Sequence, residues 1–229
     1  MLICGLSPHL YTIILQYPPQ GDNVDSMKYE LPKGYLSYSA MALWQSNKEA
    51  YRKRYYLNEK PFETIQTTFG KKVHKQFEED DSVIGSETKF EADIDKGLKL
   101  LGYIDSFNEA DLAIIDFKTS HNQKTWTKVT VAKNKQLVFY SLLVQEKYGK
   151  FNRVATLKWY ETRLKSNGVT YEGRTYETKN HDLELTGRVE EFKRKIYKWE
   201  VKKIKKDIIN CAKEITKDYL IWKETTLKN

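Results

Sequence analysis

Cysteine is scarce in this sequence. Two occur among 229 residues, Cys4 and Cys211, which argues against a disulfide framework and is typical of a protein in the reducing cytosol. No Cys/His spacing suits structural zinc. The phosphate loop G-x-x-x-x-G-K-[ST] and the nucleophile elbow G-x-S-x-G are also missing, so neither an NTP-driven motor nor an elbow-type serine hydrolase is indicated. We therefore predict a cytoplasmic protein.

Long apolar runs are scarce as well. The stretch from Leu2 to Tyr17 contains Pro8 and His9, lacks a basic flank and is too short to span a bilayer. A signal peptide is the weaker alternative for it. The polar segment from Tyr17 to Ser26 is typical of a flexible linker. We interpret residues 1 to 30 as an N-terminal appendage or linker and predict no membrane partner.

Positive charge is abundant by contrast. The chain has 39 Lys and Arg against 31 Asp and Glu, a net charge of +8 and a pI near 9.1, which favours a polyanionic partner, with nucleic acid before a membrane surface. Most of the excess is lysine, which suits sequence-independent contacts to phosphates. A hydrophobic content of 40% is typical of a globular chain.

Two apolar runs in the middle of the chain flank a polar turn. The runs Leu98 to Ile104 and Leu112 to Phe117 surround a turn from Ser106 to Asp111, and this pattern predicts a β-hairpin. Asp105 and Asp116 stand near the ends of the two strands, so we expect their carboxylates to meet at one edge of the hairpin.

Lys118 follows Asp116 by two positions, so both side chains should point to one face of the strand. Two carboxylates and a lysine suit metal-assisted cleavage of a phosphodiester, because Mg²⁺ prefers oxygen ligands and activates a bound water. A lysine beside that water can orient it and stabilise charge on the phosphate. From these residues alone, a solvated ion pair on a surface hairpin stays open as the alternative.

Further motifs lie on both sides of the predicted hairpin. In chain order the segments are Leu36 to Ser39 (LSYS), Gly70 to His74 (GKKVH), Gly102 to Asp105 (GYID), Ile115 to Thr119 (IDFKT), and the Q-x-x-x-Y pair Gln136 and Tyr140. Together they resemble the PD-(D/E)XK nuclease superfamily, in its RecB-like branch. The resemblance covers about residues 35 to 150, and its motifs occur in the expected order.

This resemblance implies a role for each matching residue. It implies Mg²⁺ or Mn²⁺ as the cofactor, and catalytic residues Asp105, Asp116, Lys118, Gln136 and Tyr140. The implied metal ligands are His74, Asp105, Asp116 and the carbonyl of Phe117, with Glu87, preferred over Glu91, as a possible further acid. Some relatives hold an iron–sulfur cluster on four cysteines, and two thiols cannot supply that shell, so we expect no cluster.

Basic residues near these motifs are candidates for DNA binding. Arg52 and Arg54 interleave with tyrosines on a helix, a combination that can hold a phosphate backbone and stack bases. Lys124, Lys128 and Lys133 lie in the polar loop after Lys118. The alternative for the tyrosines is a packed aromatic face opposite a solvated basic face.

The predicted fold is α/β, with a restriction-endonuclease-like core, a mixed central sheet flanked by helices, and a long basic C-terminal helical region. We place the nuclease core at residues 31 to 165 and a C-terminal extension packing on it at 166 to 229. The main predicted elements are helices at 40–58, 61–80, 136–148 and 186–223, a three-stranded antiparallel meander at 87–116, a strand at 151–164 and a β excursion at 168–178.

The predicted function is metal-dependent hydrolysis of DNA. Exonuclease action on single strands or duplex ends is favoured, in repair, recombination or phage-type DNA processing, with a helicase or strand-annealing protein as a possible partner. A structure-specific endonuclease and a non-catalytic DNA-binding or assembly module on the same fold are the alternatives.

Overall fold

The computed structural model describes residues 28–78, 87–121, 125–164, 169–171, 174–176 and 183–226. In this part of the chain, no helix is both long enough and apolar enough to cross a bilayer. The helices are α1 (Tyr38–Ser46), α2 (Lys48–Tyr55), α3 (Ile65–Glu78), α4 (Lys128–Ala132), α5 (Lys135–Tyr148) and α6 (Lys198–Thr226). The strands are β1 (Thr88–Asp95), β2 (Leu98–Ile104), β3 (Ser106–Asn108), β4 (Ala113–Ser120), β5 (Val154–Leu164), β6 (Val169–Tyr171), β7 (Arg174–Tyr176) and β8 (Leu183–Lys195).

The main sheet is mixed, as predicted, with strand order β3-β4-β5-β8. β4 and β5 run parallel, whereas β3 and β8 are antiparallel to their neighbours. A parallel pair needs a crossover connection, and here α4 and α5 supply it. The mixed sheet flanked by helices confirms the predicted α/β fold of restriction-endonuclease-like type.

Helix α5 forms the centre of the core. Every residue from Leu137 to Val144 is buried, which is typical of a helix enclosed on all sides. Asn134 caps its first turn by accepting a hydrogen bond from the Leu137 N–H at 3.1 Å, and Gly149 ends it with a φ of +65°. The helix packs against β1, β2, β4, β5 and α6, so its position fixes the side chains that it carries.

The predicted three-stranded meander is only partly right. β1 and β2 do form an antiparallel pair, but β4 pairs with β3 rather than with β2. The strand that begins at Leu98 is interrupted at Asp105, and its continuation from Ser106 joins the other sheet. The interruption places Asp105 at the junction of two sheets.

The helix predicted over residues 40–58 is two helices. Ser37 caps α1 by accepting a hydrogen bond from the Ala40 N–H at 3.2 Å. Asn47 then adopts an extended backbone and caps α2 by accepting from the Ala50 N–H at 2.9 Å. A side chain that bonds its own backbone ends one helix and starts the next.

The helix predicted from Thr186 is wrong in its first part, because residues up to Lys195 belong to β8. Phe192 and Ile196 are four apart, a spacing that places side chains on one face of a strand as well as of a helix. In α6 the residues Ile204, Ile208 and Ile215 form a buried stripe. Trp199 is not part of it and is 62% exposed.

The β excursion predicted at 168–178 is confirmed by the paired strands β6 and β7. Residues 1–27 lie outside the described part, and the predicted boundaries at residues 30 and 165 stay a prediction. The family-like core and the C-terminal segment share one sheet, because β8 pairs with β5.

Gly102 permits the close approach of α5 to β2. A Cβ at this position would lie 2.5 Å from Leu143 Cδ1, 3.4 Å from Phe139 and 3.5 Å from Tyr140, and all three side chains are buried. Overfilling a packed core costs about 1–3 kcal/mol, so Gly102→Ala should lower the free energy of unfolding by that amount, measured by urea denaturation. In a Leu143→Ala background the cost should shrink, because the obstructing atom is gone. An equal cost in both backgrounds would contradict the packing argument.

Candidate active site

Strand β4 brings Asp116 and Lys118 to one face of the main sheet. The Asp116 side chain is 1% exposed and that of Lys118 is 24% exposed. The Lys118 ammonium lies 2.7 Å from both carboxylate oxygens and donates its hydrogen bond to Oδ1. Oδ2 is buried and accepts no hydrogen bond from the described residues. It therefore has a lone pair available for another ligand.

Asp105 reaches the same place from the junction between β2 and β3. Its Oδ2 accepts a hydrogen bond from the Phe117 N–H at 2.6 Å. Because β3 begins only at Ser106, no residue of β3 lies opposite Phe117, and the Asp105 side chain accepts the hydrogen bond from this N–H instead. Because the N–H and C=O of a strand residue point to the same side, the Phe117 carbonyl is expected on the Asp105 side of β4. The two acids are thus linked through the backbone.

His74, on α3, lies beside Asp105. Its Nδ1 is 3.5 Å from Asp105 Oδ1, and its ring packs edge-on against Phe117 with centroids 6.3 Å apart. Contact with Asp105 raises the pKa of His74 against the opposing effect of burial. The histidine predicted as a further ligand therefore lies next to the acids.

Burial dominates the electrostatics of Asp116. It raises the pKa of this carboxyl from 3.8 to about 6, and the neighbouring charge of Asp105 acts in the same direction, whereas Lys118 lowers the pKa. Two carboxylates that repel each other in a buried site favour a cation or a proton between them.

Gln136 and Tyr140 face the acids from α5. Gln136 Nε2 donates to the Tyr140 hydroxyl at 2.7 Å. Burial, followed by the charges of Asp116 and Asp105, raises the pKa of Tyr140, and Glu87 adds a smaller effect in the same direction. The helix pair thus lies within electrostatic reach of both acids. Glu87, exposed just before β1, stands at the edge of the same group.

A cleft of about 480 Å³ opens beside Gln136 and Tyr140. Sequence reasoning assigned no role to most of its residues, although the LSYS motif contains Tyr38. Burial and the charge of Asp116 raise the pKa of Tyr38, so this ring lies near the acids. The cleft walls combine aromatic rings with cations, among them Tyr38, Tyr55, Tyr103, Lys33, Arg54 and Lys60.

The basic residues predicted to bind DNA have different surroundings. Arg54 lines the cleft and lies over the Tyr55 ring at 5.4 Å. Arg52 instead binds Asp218 of α6, with Nε 2.9 Å from Oδ2, and so joins α2 to α6. Lys128 and Lys133 are exposed at the two ends of α4. Lys124 lies outside the described residues. Contact of these residues with DNA stays a prediction.

The residues at this site fit a divalent cation, although the described residues contain no group of three or more His, Cys, Asp and Glu side chains arranged to hold a metal. Mg²⁺ usually takes one or two protein carboxylates and completes its shell with water and substrate oxygens. Asp105 and Asp116 match that requirement, and Oδ2 of Asp116, which accepts no hydrogen bond from the described residues, is a suitable ligand atom beside Lys118. His74 and the Phe117 carbonyl are the nearest candidates for further ligands.

Asp116 should make the stability of the metal-free protein depend on pH. Its folded-state pKa of about 6 lies above its ordinary value of 3.8, so its favourable contribution is complete below about pH 3.8 and is lost as the pH rises through about 6. Asp116→Asn should therefore be more stable than wild type above pH 6, by on the order of 1–3 kcal/mol. Urea denaturation in EDTA between pH 4 and pH 8 measures the difference. A difference that does not grow with pH would contradict the prediction.

The sequence and the fold were compared with those of known proteins. The sequence model of the PD-(D/E)XK nuclease superfamily matches residues 27–215. No curated protein matches the sequence. Among solved structures, a proposed exonuclease from Eubacterium rectale is similar at 10% identity, with 80% of this chain and 83% of that chain covered and a TM-score of 0.49. A phage-related exonuclease from Haemophilus somnus 129PT is similar at 15% identity, with 84% and 86% covered and a TM-score of 0.48.

The family match, rather than these distant structures, identifies the chain. Nucleases of the matched superfamily generally use divalent metals, in agreement with the paired acids described above. Membership of the RecB-like branch stays a prediction. With the matched segment spanning every element from α1 to most of α6, this chain belongs to the PD-(D/E)XK nuclease superfamily.

Proposed function

We propose that this protein is a metal-dependent deoxyribonuclease that acts as an exonuclease on single strands or duplex ends. The observation that carries the proposal is the meeting of Asp105, from the β2–β3 junction, with Asp116 and Lys118 of β4. Tyr140, whose pKa both acids raise, lines the aromatic and basic cleft beside them. A structural ion pair alone would not need a second carboxylate, that of Asp105, close to the buried one, since each negative charge makes ionisation of the other less favourable.

Each residue has a distinct task in this proposal. Asp105 and Asp116 would hold Mg²⁺ or Mn²⁺, which when bound supplies Lewis acidity to the scissile phosphate and to a water. Lys118, held by Asp116, is placed to orient the attacking water and to stabilise negative charge on the phosphate. Gln136 and Tyr140 would position the substrate strand next to the acids.

The cleft supports a single strand as the substrate form. Aromatic faces such as those of Tyr38, Tyr55 and Tyr103 can stack on unpaired bases, which is worth about 1–3 kcal/mol for each base. Lys33 and Arg54 supply charge for the phosphates along the same cleft. In a duplex the bases are already stacked on each other, so this cleft favours an end that has opened. Such an activity suits repair, recombination or phage-type DNA processing, in which a helicase or annealing partner exposes single strands.

The test is a time course on linear and circular single-stranded DNA with Mg²⁺, Mn²⁺ or EDTA. We expect metal-dependent loss of the linear strand only, since a circle offers no end, and no cleavage by Lys118→Ala.

The other outcomes assign a different function. Cleavage of the circle, also lost in Lys118→Ala, would indicate an endonuclease at the same site. Cleavage that persists in EDTA, or in Lys118→Ala, would overturn the proposed site. DNA binding without cleavage under any metal would favour the non-catalytic module.

A further inference from the structure

A second concave region lies outside the candidate active site, along the free edge of β8. Among the described strands β8 has β5 as its only neighbour, so its other edge is unpaired. A groove of about 830 Å³ follows that edge between α4 and the beginning of α6. Its walls include the run from Glu191 to Lys195 and the rings of Tyr197 and Trp199.

The two rings form an exposed aromatic platform. Tyr197 and Trp199 stack with centroids 6.4 Å apart and planes 19° apart, yet they are 46% and 62% exposed. Lys195 places its ammonium 5.5 Å from the Tyr197 ring. Aromatic rings that remain exposed beside a cation are the usual platform for an unpaired base with its phosphate.

The charge of the groove is positive. Lys128, Lys193 and Lys195 line it and are exposed. Its two acids are already paired, Glu191 with Lys158 at 3.5 Å and Glu200 with Arg194 at 2.7 Å.

Arg194 lies beneath this surface and is 5% exposed. Its Nη2 is paired with Glu200 and its Nε with the Ala132 carbonyl, while the buried Nη1 has no hydrogen-bond partner among the described residues. The charge that a ligand meets is therefore that of the exposed lysines, which favours a phosphate-bearing strand over a neutral or basic protein strand added to the edge of β8.

The groove belongs to the same sheet as the candidate catalytic residues. Asp116 is in register with Leu157 of β5, and Leu157 with Phe192 of β8. Two strand spacings make about 10 Å, and the five residues from Phe192 to Tyr197 add about 17 Å along the chain, so a strand that leaves the active site must cover on the order of 20 Å to reach the platform.

We infer that this groove, which we call the β8 groove, binds single-stranded DNA outside the cleavage cleft. Phosphates contact Lys128, Lys193 and Lys195, and a base stacks on the Tyr197–Trp199 platform. The inference rests on the proposed function for the identity of the ligand, because the strand is that of the nuclease substrate. The β8 groove gives the DNA strand a second binding region besides the cleavage cleft. A long strand can contact both regions, whereas a short strand contacts only one.

Binding of fluorescein-labelled oligothymidylate, followed by anisotropy in EDTA, tests the inference without cleavage. An oligomer of about 30 nucleotides spans both regions, whereas one of about 6 fills a single site. Trp199→Ala should weaken binding of the long oligomer about tenfold and leave the short one unchanged, and Trp199→Phe should restore most of the loss. Lys193→Ala/Lys195→Ala should lower the slope of log K against log salt by about 1.4.

The matched control is Lys203→Ala/Lys206→Ala, which removes the same charge from exposed positions on α6. Equal losses in the two lysine pairs, or equal losses with long and short oligomers, would overturn the inference. Normal binding of the long oligomer by Trp199→Ala would also overturn the inference. That result is expected if the edge of β8 pairs with a second copy of the chain and not with DNA. The binding assay needs no turnover, so the two proposals can fail separately. If the wild type does not cleave DNA but Trp199→Ala still weakens binding of the long oligomer only, the proposed nuclease is contradicted and the β8 groove is not.

Discussion

Asp116→Ala is expected to reduce DNA cleavage by roughly 10³-fold or more, since losing about 4 kcal/mol of metal-supplied stabilisation corresponds to that factor. The substitution removes the buried oxygen Oδ2, which accepts no hydrogen bond from the part of the chain that the structure describes, and it releases Lys118 from its position. DNA binding should change little, because the basic surface and the aromatic cleft remain. Cleavage rates at saturating metal and binding in EDTA measure the two effects separately.

The matched control for Asp116→Ala is Asp93→Ala. Asp93 is an exposed carboxylate on β1, so its removal changes the net charge equally without touching the site. Cleavage by Asp116→Ala at a rate near that of Asp93→Ala would contradict the assignment of Asp116. Loss of cleavage together with loss of binding would instead assign Asp116 to substrate contact.

Arg194→Met is expected to lower the free energy of unfolding by about 3 kcal/mol, within the range for removing one partner of a buried ion pair. The Arg194 side chain is 4% exposed and that of Glu200 is 16% exposed. Arg194 Nε also donates to the Ala132 carbonyl at 3.0 Å, so this residue joins β8 to α4 and α6. Its loss leaves the Ala132 carbonyl without this hydrogen bond and the Glu200 carboxylate without its positive charge, with the Tyr197 N–H still donating to Oε2. Chemical denaturation measures the change.

Arg163→Met is the control for this second prediction. Its ion pair with Glu184 has a similar distance of 2.7 Å, but the side chains are 63% and 34% exposed. A surface pair of this kind contributes about 0–1 kcal/mol. If both variants lose the same stability, burial does not determine the value of the Arg194 pair.

The candidate site was largely predictable because its signals are local. The two-residue spacing of Asp116 and Lys118 fixes a common face on any strand, and the four-residue spacing of Gln136 and Tyr140 fixes one on any helix. The structure brings these residues together with Asp105 and His74. Superfamily membership is confirmed by the match over most of the chain, whereas the individual catalytic roles stay predictions.

The parts that could not be predicted depend on contacts between distant residues. The strand is interrupted at Asp105 because β3, and not β2, pairs with β4. Strand pairing depends on residues that are distant in the sequence, so a local pattern does not predict it. The strand at Phe192 resembled a helix because an apolar spacing of four suits both structures. The exposure of Trp199 depends on how the first turn of α6 leaves β8. Tyr38 was part of a recognised motif, but only its proximity to Asp116 in space indicates a role.

The position of Asp105 between two sheets has a consequence for motion. Asp116 belongs to the main sheet, whereas Asp105 lies between β2, which ends at Ile104, and β3, which begins at Ser106. On one side Asp105 is held to β4 by the pairing of β3 and by the Phe117 N–H, and on the other side it continues into the β1–β2 pair, which docks onto α5. Proteins open locally in cooperative units of supersecondary size. An opening of the β1–β2 unit would free the backbone on one side of Asp105, while the hydrogen bond to Phe117 keeps its carboxylate beside Asp116.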